Sequence, residues 1–178
     1  MIINEKGAFD IRQAVGGDKE YILQSWMYAY ENSPEMSMPG MSRDDYFAYT
    51  HRMLDEIISR CSKAGSMYVC HQPNAPHLIR GYLCAEALDA FPVVYWVNVK
   101  KQEKKKGVAS ALMEQFYRDF EITPGKLVYT FSSKDLRGKW DKKESRFNDD
   151  LPRKAKERYG IIYHPWWKYT SQAQGWEV

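Results

Sequence analysis

The chain has 178 residues, 44% of them apolar and 28% charged, with a formal net charge of +3. That balance suits one domain over residues 1–178 with a sizeable core, and its basicity falls well short of a dedicated nucleic-acid protein. No apolar run approaches a membrane span, and the opening Met1 to Gly7 is not followed by the long apolar stretch of a signal peptide.

Phe9 to Val15 is predicted as a strand ended by Gly16-Gly17, with Asp18 capping the helix that follows. That helix carries Ile22, Trp26 and Ala29 on one face with Leu23, Met27 and Tyr30 beside it, and Asn32-Ser33-Pro34 stops it. A Met-, Pro- and Gly-rich loop spans Met36 to Met41. Ser42 and Asp45 resemble a capping box that opens a helix with Phe47, Leu54, Ile57, Ile58 and Cys61 at helical spacing, ending near Gly65. The period then changes. Ser66 to Gln72, Leu78 to Leu88 and Val93 to Val99 read as three strands, and the short turns between them favour an antiparallel meander.

A helix from about Gly107 to Phe120 follows, with Val108, Ala111, Leu112 and Phe116 on one stripe. Pro124-Gly125 breaks it, and Leu127 to Phe131 is another strand. Val93 to Phe131 therefore reads as a βαβ unit. The polar stretch from Lys134 to Asp149 reads as a surface insertion. Asp150, Pro152 and Gly160 frame a short helix, and Ile161 to Tyr163 is a last strand candidate. Trp166, Trp167, Tyr169 and Trp176 could form a substrate wall, a dimer surface or a cover over the sheet; core cover is preferred.

The three cysteines, Cys61, Cys70 and Cys84, contain no C-x-x-C pair, and the four histidines are not interleaved with them at metal-ligand spacing. Reduced buried thiols, no metal and a cytoplasmic compartment are the expectation.

The turn from Lys100 to Lys106 stands out. It holds five lysines (Lys100, Lys101, Lys104, Lys105, Lys106) against one acid, Glu103. This is the wrong charge for a helix N-terminus, where the macrodipole is already positive, and no Ser, Thr, Asp or Asn is present to cap the free N–H groups. A docked phosphate would supply both the cap and the counter-charge.

The element order, with Val97-Asn98-Val99 before Lys104-Lys105-Lys106-Gly107-Val108-Ala109, resembles the GNAT superfamily of acyl-CoA-dependent N-acyltransferases. That family's central motif has the form [Arg/Gln]-x-x-Gly-x-[Gly/Ala], and Lys104 departs from its first position. The resemblance implies an α/β (α+β) fold, a mixed and mostly antiparallel central sheet flanked by helices on both faces. It implies acetyl-CoA as co-substrate, with its pyrophosphate on N–H groups from Lys104, Lys105, Lys106, Gly107, Val108 and Ala109 to Ser110. The pantetheine arm would pair with the backbone of Val97, Asn98 and Val99, and an N–H near Val99 would polarise the thioester carbonyl. The acceptor would be a primary amine that attacks directly.

Glu86, a carboxylate in the apolar run Tyr82 to Leu88, is the candidate base, since partial burial would raise its pKa. The family's thiolate-protonating tyrosine falls at Lys156 here, so Tyr159 and Tyr163 are substitutes by proximity, with Tyr129 a further one. His164 is read as a packed imidazole. Two rival readings stand beside the enzyme. One is a non-catalytic interaction protein on the same fold. The other is a nucleic-acid-binding module using Lys100 to Lys106 with Lys134, Arg137, Lys139, Lys142, Lys143 and Trp140, which the near-balanced charge disfavours.

Overall fold

A computed structural model of the chain describes residues 2–4, 7–31, 41–88, 92–122, 127–130 and 161–163. The strands are β1 (Ile2–Asn4), β2 (Gly7–Gln13), β3 (Met67–Gln72), β4 (Ala75–Ala87), β5 (Pro92–Val99), β6 (Leu127–Tyr129) and β7 (Ile161–Tyr163). They lie in one sheet in chain order. Pairing is antiparallel from β1 to β5 and parallel from β5 to β6 and from β6 to β7. The helices are α1 (Gly16–Glu31), α2 (Arg43–Lys63) and α3 (Val108–Asp119).

The predicted meander, the βαβ crossover and the last strand are all present. β1 was not anticipated, because three residues are too few to show a period. The Met-rich loop, the insertion, the short helix framed by Asp150 and Gly160, and the tryptophans from Trp166 onward lie outside the described residues, apart from Met41.

Helices cover both faces. Ile22, Leu23, Trp26 and Tyr30 of α1 and Met53, Leu54, Ile57 and Ile58 of α2 pack on Met67, Val69, Tyr82, Cys84, Val93 and Tyr95. Val108, Ala111, Leu112 and Phe116 of α3 pack on the other face, against Phe9, Tyr68, Cys70, Leu83, Ala85 and Val94. The alternation along β5 therefore feeds two cores, which is why this strand is apolar almost throughout.

Two helix starts compare instructively with the sequence. Ser42 Oγ accepts from the Asp45 N–H at 3.1 Å and donates to Asp45 Oδ2 at 2.6 Å, so Ser42 caps α2 as expected. At α1 the cap works backwards from expectation. The helix begins at Gly16, and the Asp18 carboxylate accepts the Val15 N–H at 2.8 Å while pairing with Arg12 at 2.6 Å. Burial alone would raise the Asp18 pKa, but the bonds from Arg12 and Val15 outweigh it and hold the carboxyl below its usual range. The three cysteines are free and buried, as expected, and burial pushes the Cys70 thiol up to about 12.

One glycine sets how closely β4, β5 and α3 approach. A Cβ on Gly81 would lie 2.7 Å from the Asn98 carbonyl oxygen and 3.0 Å from Val108 Cγ1. Gly81→Ala is expected to force β5 or α3 outward and to cost about 2 kcal/mol of stability, measured by denaturant unfolding. Unchanged stability would mean that the contact yields freely.

Candidate active site

β5 carries the first half of the site. Its register with β4 runs Gly81↔Val99, Tyr82↔Asn98, Leu83↔Val97 and Cys84↔Trp96, then shifts to Ala85↔Val94, so Tyr95 is the extra residue of a β-bulge. The bulge puts both Tyr95 and Trp96 on the α1/α2 face. Beyond it the alternation resumes. Val97 and Val99 pack toward α3, and Asn98 Nδ2 donates to Ser25 Oγ at 2.9 Å on the α1 side. The Asn98 side chain is thus engaged with α1, and the backbone is what it offers a ligand.

The bulge also marks the end of the described pairing between β5 and β6. Val93 and Val94 pair with Val128 and Tyr129. Thr130 then closes the junction, its N–H donating to the Val94 oxygen at 3.1 Å and its hydroxyl to the Tyr95 oxygen at 3.0 Å. Among the described residues no strand pairs with Trp96 to Val99 on that side.

The turn after β5 is tied to the sheet at its start. The Lys100 N–H donates to the Arg80 oxygen at 2.8 Å, and Lys100 Nζ sits 5.4 Å from the centre of the Tyr21 ring. A single 3-10 turn, Lys101–Glu103, follows. Lys104 is extended, and the chain then passes through left-handed conformations at Lys105 (φ 66°) and Gly107 (φ 84°). Gly107 is the N-cap of α3, makes no side-chain cap, and no acid lies in the first turn. Ala109 and Ser110 are exposed. The five lysines are not equivalent. Lys106 Nζ pairs with Glu103 at 3.1 Å and Lys100 lies on Tyr21, whereas Lys101, Lys104 and Lys105 are exposed.

Glu86 is not alone in its strand. Tyr95 OH donates to Glu86 Oε2 at 2.6 Å in a buried contact, and Arg60 Nε donates to Oε1 at 3.2 Å. The Arg60 guanidinium carbon lies 5.9 Å from the Tyr95 ring centre. Burial first, then the adjacent carboxylate, push the Tyr95 hydroxyl pKa up, so this phenol stays a proton donor. Arg60 and Tyr95 were missed by sequence reasoning. Each reads there as an ordinary helix or strand residue, and only the bulge and the α2 packing bring them to Glu86. Tyr159 lies outside the described residues. Tyr163 is on β7, opposite Tyr129 in the register. His164 also lies outside. No cluster of three or more metal-ligating side chains occurs among the described residues.

No protein-family model and no curated protein matches the sequence. Solved structures do resemble the fold. A histone acetyltransferase HPA2 and related acetyltransferase from Corynebacterium glutamicum aligns over 64% of this chain and 72% of its own, with a TM-score of 0.51 and 17% identity. A GNAT-family acetyltransferase from Staphylococcus aureus Mu50 aligns over 64% of this chain and 66% of its own, with a TM-score of 0.46 and 16% identity. A PaiA N-acetyltransferase from Thermoplasma acidophilum, in complex with coenzyme A, aligns over 65% and 73%, with a TM-score of 0.44 and 13% identity. Strand order, the switch from antiparallel to parallel pairing at β5 and the likeness to the Corynebacterium protein agree, and this chain has the GNAT fold.

Proposed function

We propose that this protein is an N-acetyltransferase that moves an acetyl group from acetyl-CoA to a primary amine of its acceptor. The observation that carries the reading is the continuous run of β5, lysine turn and uncapped α3. One end of that run is a strand whose outer edge is open among the described residues. The other is a helix start with neither cap nor acid, at a glycine in the left-handed region. These features fit an elongated ligand with an anionic end. The N–H groups from Lys104 to Ser110 would hold the pyrophosphate, with Lys101, Lys104 and Lys105 around it. The backbone of Val97 to Val99 would pair with the pantetheine arm, and an N–H near Val99 would polarise the acyl carbonyl.

The bound thioester supplies the activated acyl group; the protein orients it and moves protons. Glu86, Tyr159 and Tyr163 are the candidates for taking the ammonium proton and returning one to the thiolate. For Glu86 that role requires exchange of a proton through the Tyr95 hydroxyl or release from Arg60. A second reading, coenzyme A binding without transfer, is favoured by the commitment of the Glu86 carboxylate to Arg60 and Tyr95.

Titration calorimetry of the full chain with acetyl-CoA and CoA tests the first step, and measurable heat with a raised Tm is expected. No heat and no shift with either ligand overturns the reading. Thiol release over a broad amine panel then separates the two forms of it. Release by at least one amine supports transfer, and binding without release supports the second.

A further inference from the structure

Glu103 is an awkward residue for a phosphate seat, since a carboxylate beside a bound anion repels it. It is nevertheless largely buried, its side chain 13% exposed, and it is held by two cations, Lys106 at 3.1 Å and Arg80 at 3.5 Å. Arg80 is itself unusually placed. The β3–β4 register runs Cys70↔Gly81 and then His71↔Ile79, which leaves Arg80 as the extra residue of a second β-bulge. A bulge re-aims a side chain. Here Arg80 Nη1 donates to the Ala8 oxygen on β2 at 3.1 Å and also reaches Glu103, while the Arg80 oxygen accepts the Lys100 N–H at 2.8 Å. Arg80 thus links β2, β4 and both ends of the 3-10 turn. Immediately after Glu103 comes the backbone that passes through φ 66° at Lys105, a conformation that a non-glycine residue keeps only when its surroundings hold it there.

We infer that Arg80 and Glu103 are a positioning pair that holds the Lys104 to Gly107 backbone in the shape that receives the donor's phosphates. This rests on the coenzyme A reading above. Neither side chain needs to touch the ligand. Arg80 is anchored in the sheet, and Glu103 carries that anchor into the turn and fixes Lys106 beside it. The pair accepts some repulsion of the anion in exchange for a preorganised seat.

The sign of one substitution separates this role from simple electrostatics. Glu103→Gln removes a negative charge next to the phosphates, so charge alone predicts tighter binding of CoA. The positioning role predicts the opposite, about tenfold weaker binding, because the charge-assisted links to Arg80 and Lys106 are lost. Calorimetry with CoA on wild type, Glu103→Gln, Arg80→Met and the double variant reads the effect, with Tm confirming that each is folded. Both single variants are expected to weaken binding, and the double variant to lose no more than the worse single one, since the residues act as a unit. Equal or tighter binding by folded Glu103→Gln overturns the positioning role while leaving the coenzyme A reading intact. Additive losses in the double variant also overturn the pairing. Absence of CoA binding by the wild type overturns the reading and this inference together.

Discussion

Gly107→Glu is expected to weaken CoA binding by about a hundredfold or more while leaving the sheet and its two cores in place. Gly107 has φ 84° and opens α3 without a cap. A side chain there carries strain of about 1–2 kcal/mol, which a domain of this size can bear. The larger effect is on the ligand. The carboxylate would sit at the mouth of the N–H groups proposed to hold the pyrophosphate, and like charges placed together cost several kcal/mol. Gly107→Asn is the control, because Asn adopts the left-handed region with little penalty and adds no charge. Calorimetry with CoA, together with circular dichroism, checks both. Retained affinity in folded Gly107→Glu would place the pyrophosphate elsewhere on the protein.

Glu86→Ala should be the most destabilising of the substitutions considered, by about 3 kcal/mol, lowering Tm by about 10 °C. The change leaves the Arg60 guanidinium and the Tyr95 hydroxyl without their common acceptor in a largely enclosed position. Glu86→Gln keeps an acceptor for Tyr95 and should lose about half as much. The comparison bears on mechanism as well as stability. If Glu86 chiefly holds the bulge, Tyr95→Phe and Glu86→Gln will lower any measured transfer by similar factors without removing an acid limb from its pH profile. If Glu86 is the base, Glu86→Gln will lower kcat far more than Tyr95→Phe does, and that limb will vanish. Denaturant unfolding and rate–pH profiles distinguish these outcomes.

Much of the architecture was legible because it depends on short-range periods. The helical stripe of α3, the Ser42 cap and the β-rich runs of β3, β4 and β5 are written in residues a few positions apart. The lysine turn was legible for the same reason, since charge and missing caps need no tertiary context to be seen. The partners of Glu86 were not. Arg60 lies 26 positions before it and Tyr95 nine after, and no local rule joins them. The start of α1 was misplaced by three residues because Asp18 looks like a cap in sequence but bonds backwards to Val15.

The sequence by itself determined the order of elements from β2 onward, the apolar run of β5 and the excess of positive charge before α3, because hydrophobic period and charge act locally. Only the tertiary structure decided where the register of β5 slips, which carboxylates are committed and how the lysines divide. Those outcomes rest on two bulges, at Arg80 and Tyr95, each a one-residue slip between strands. A slip of that kind is set by packing of the whole sheet against α1, α2 and α3. It leaves no mark on the chain's own pattern.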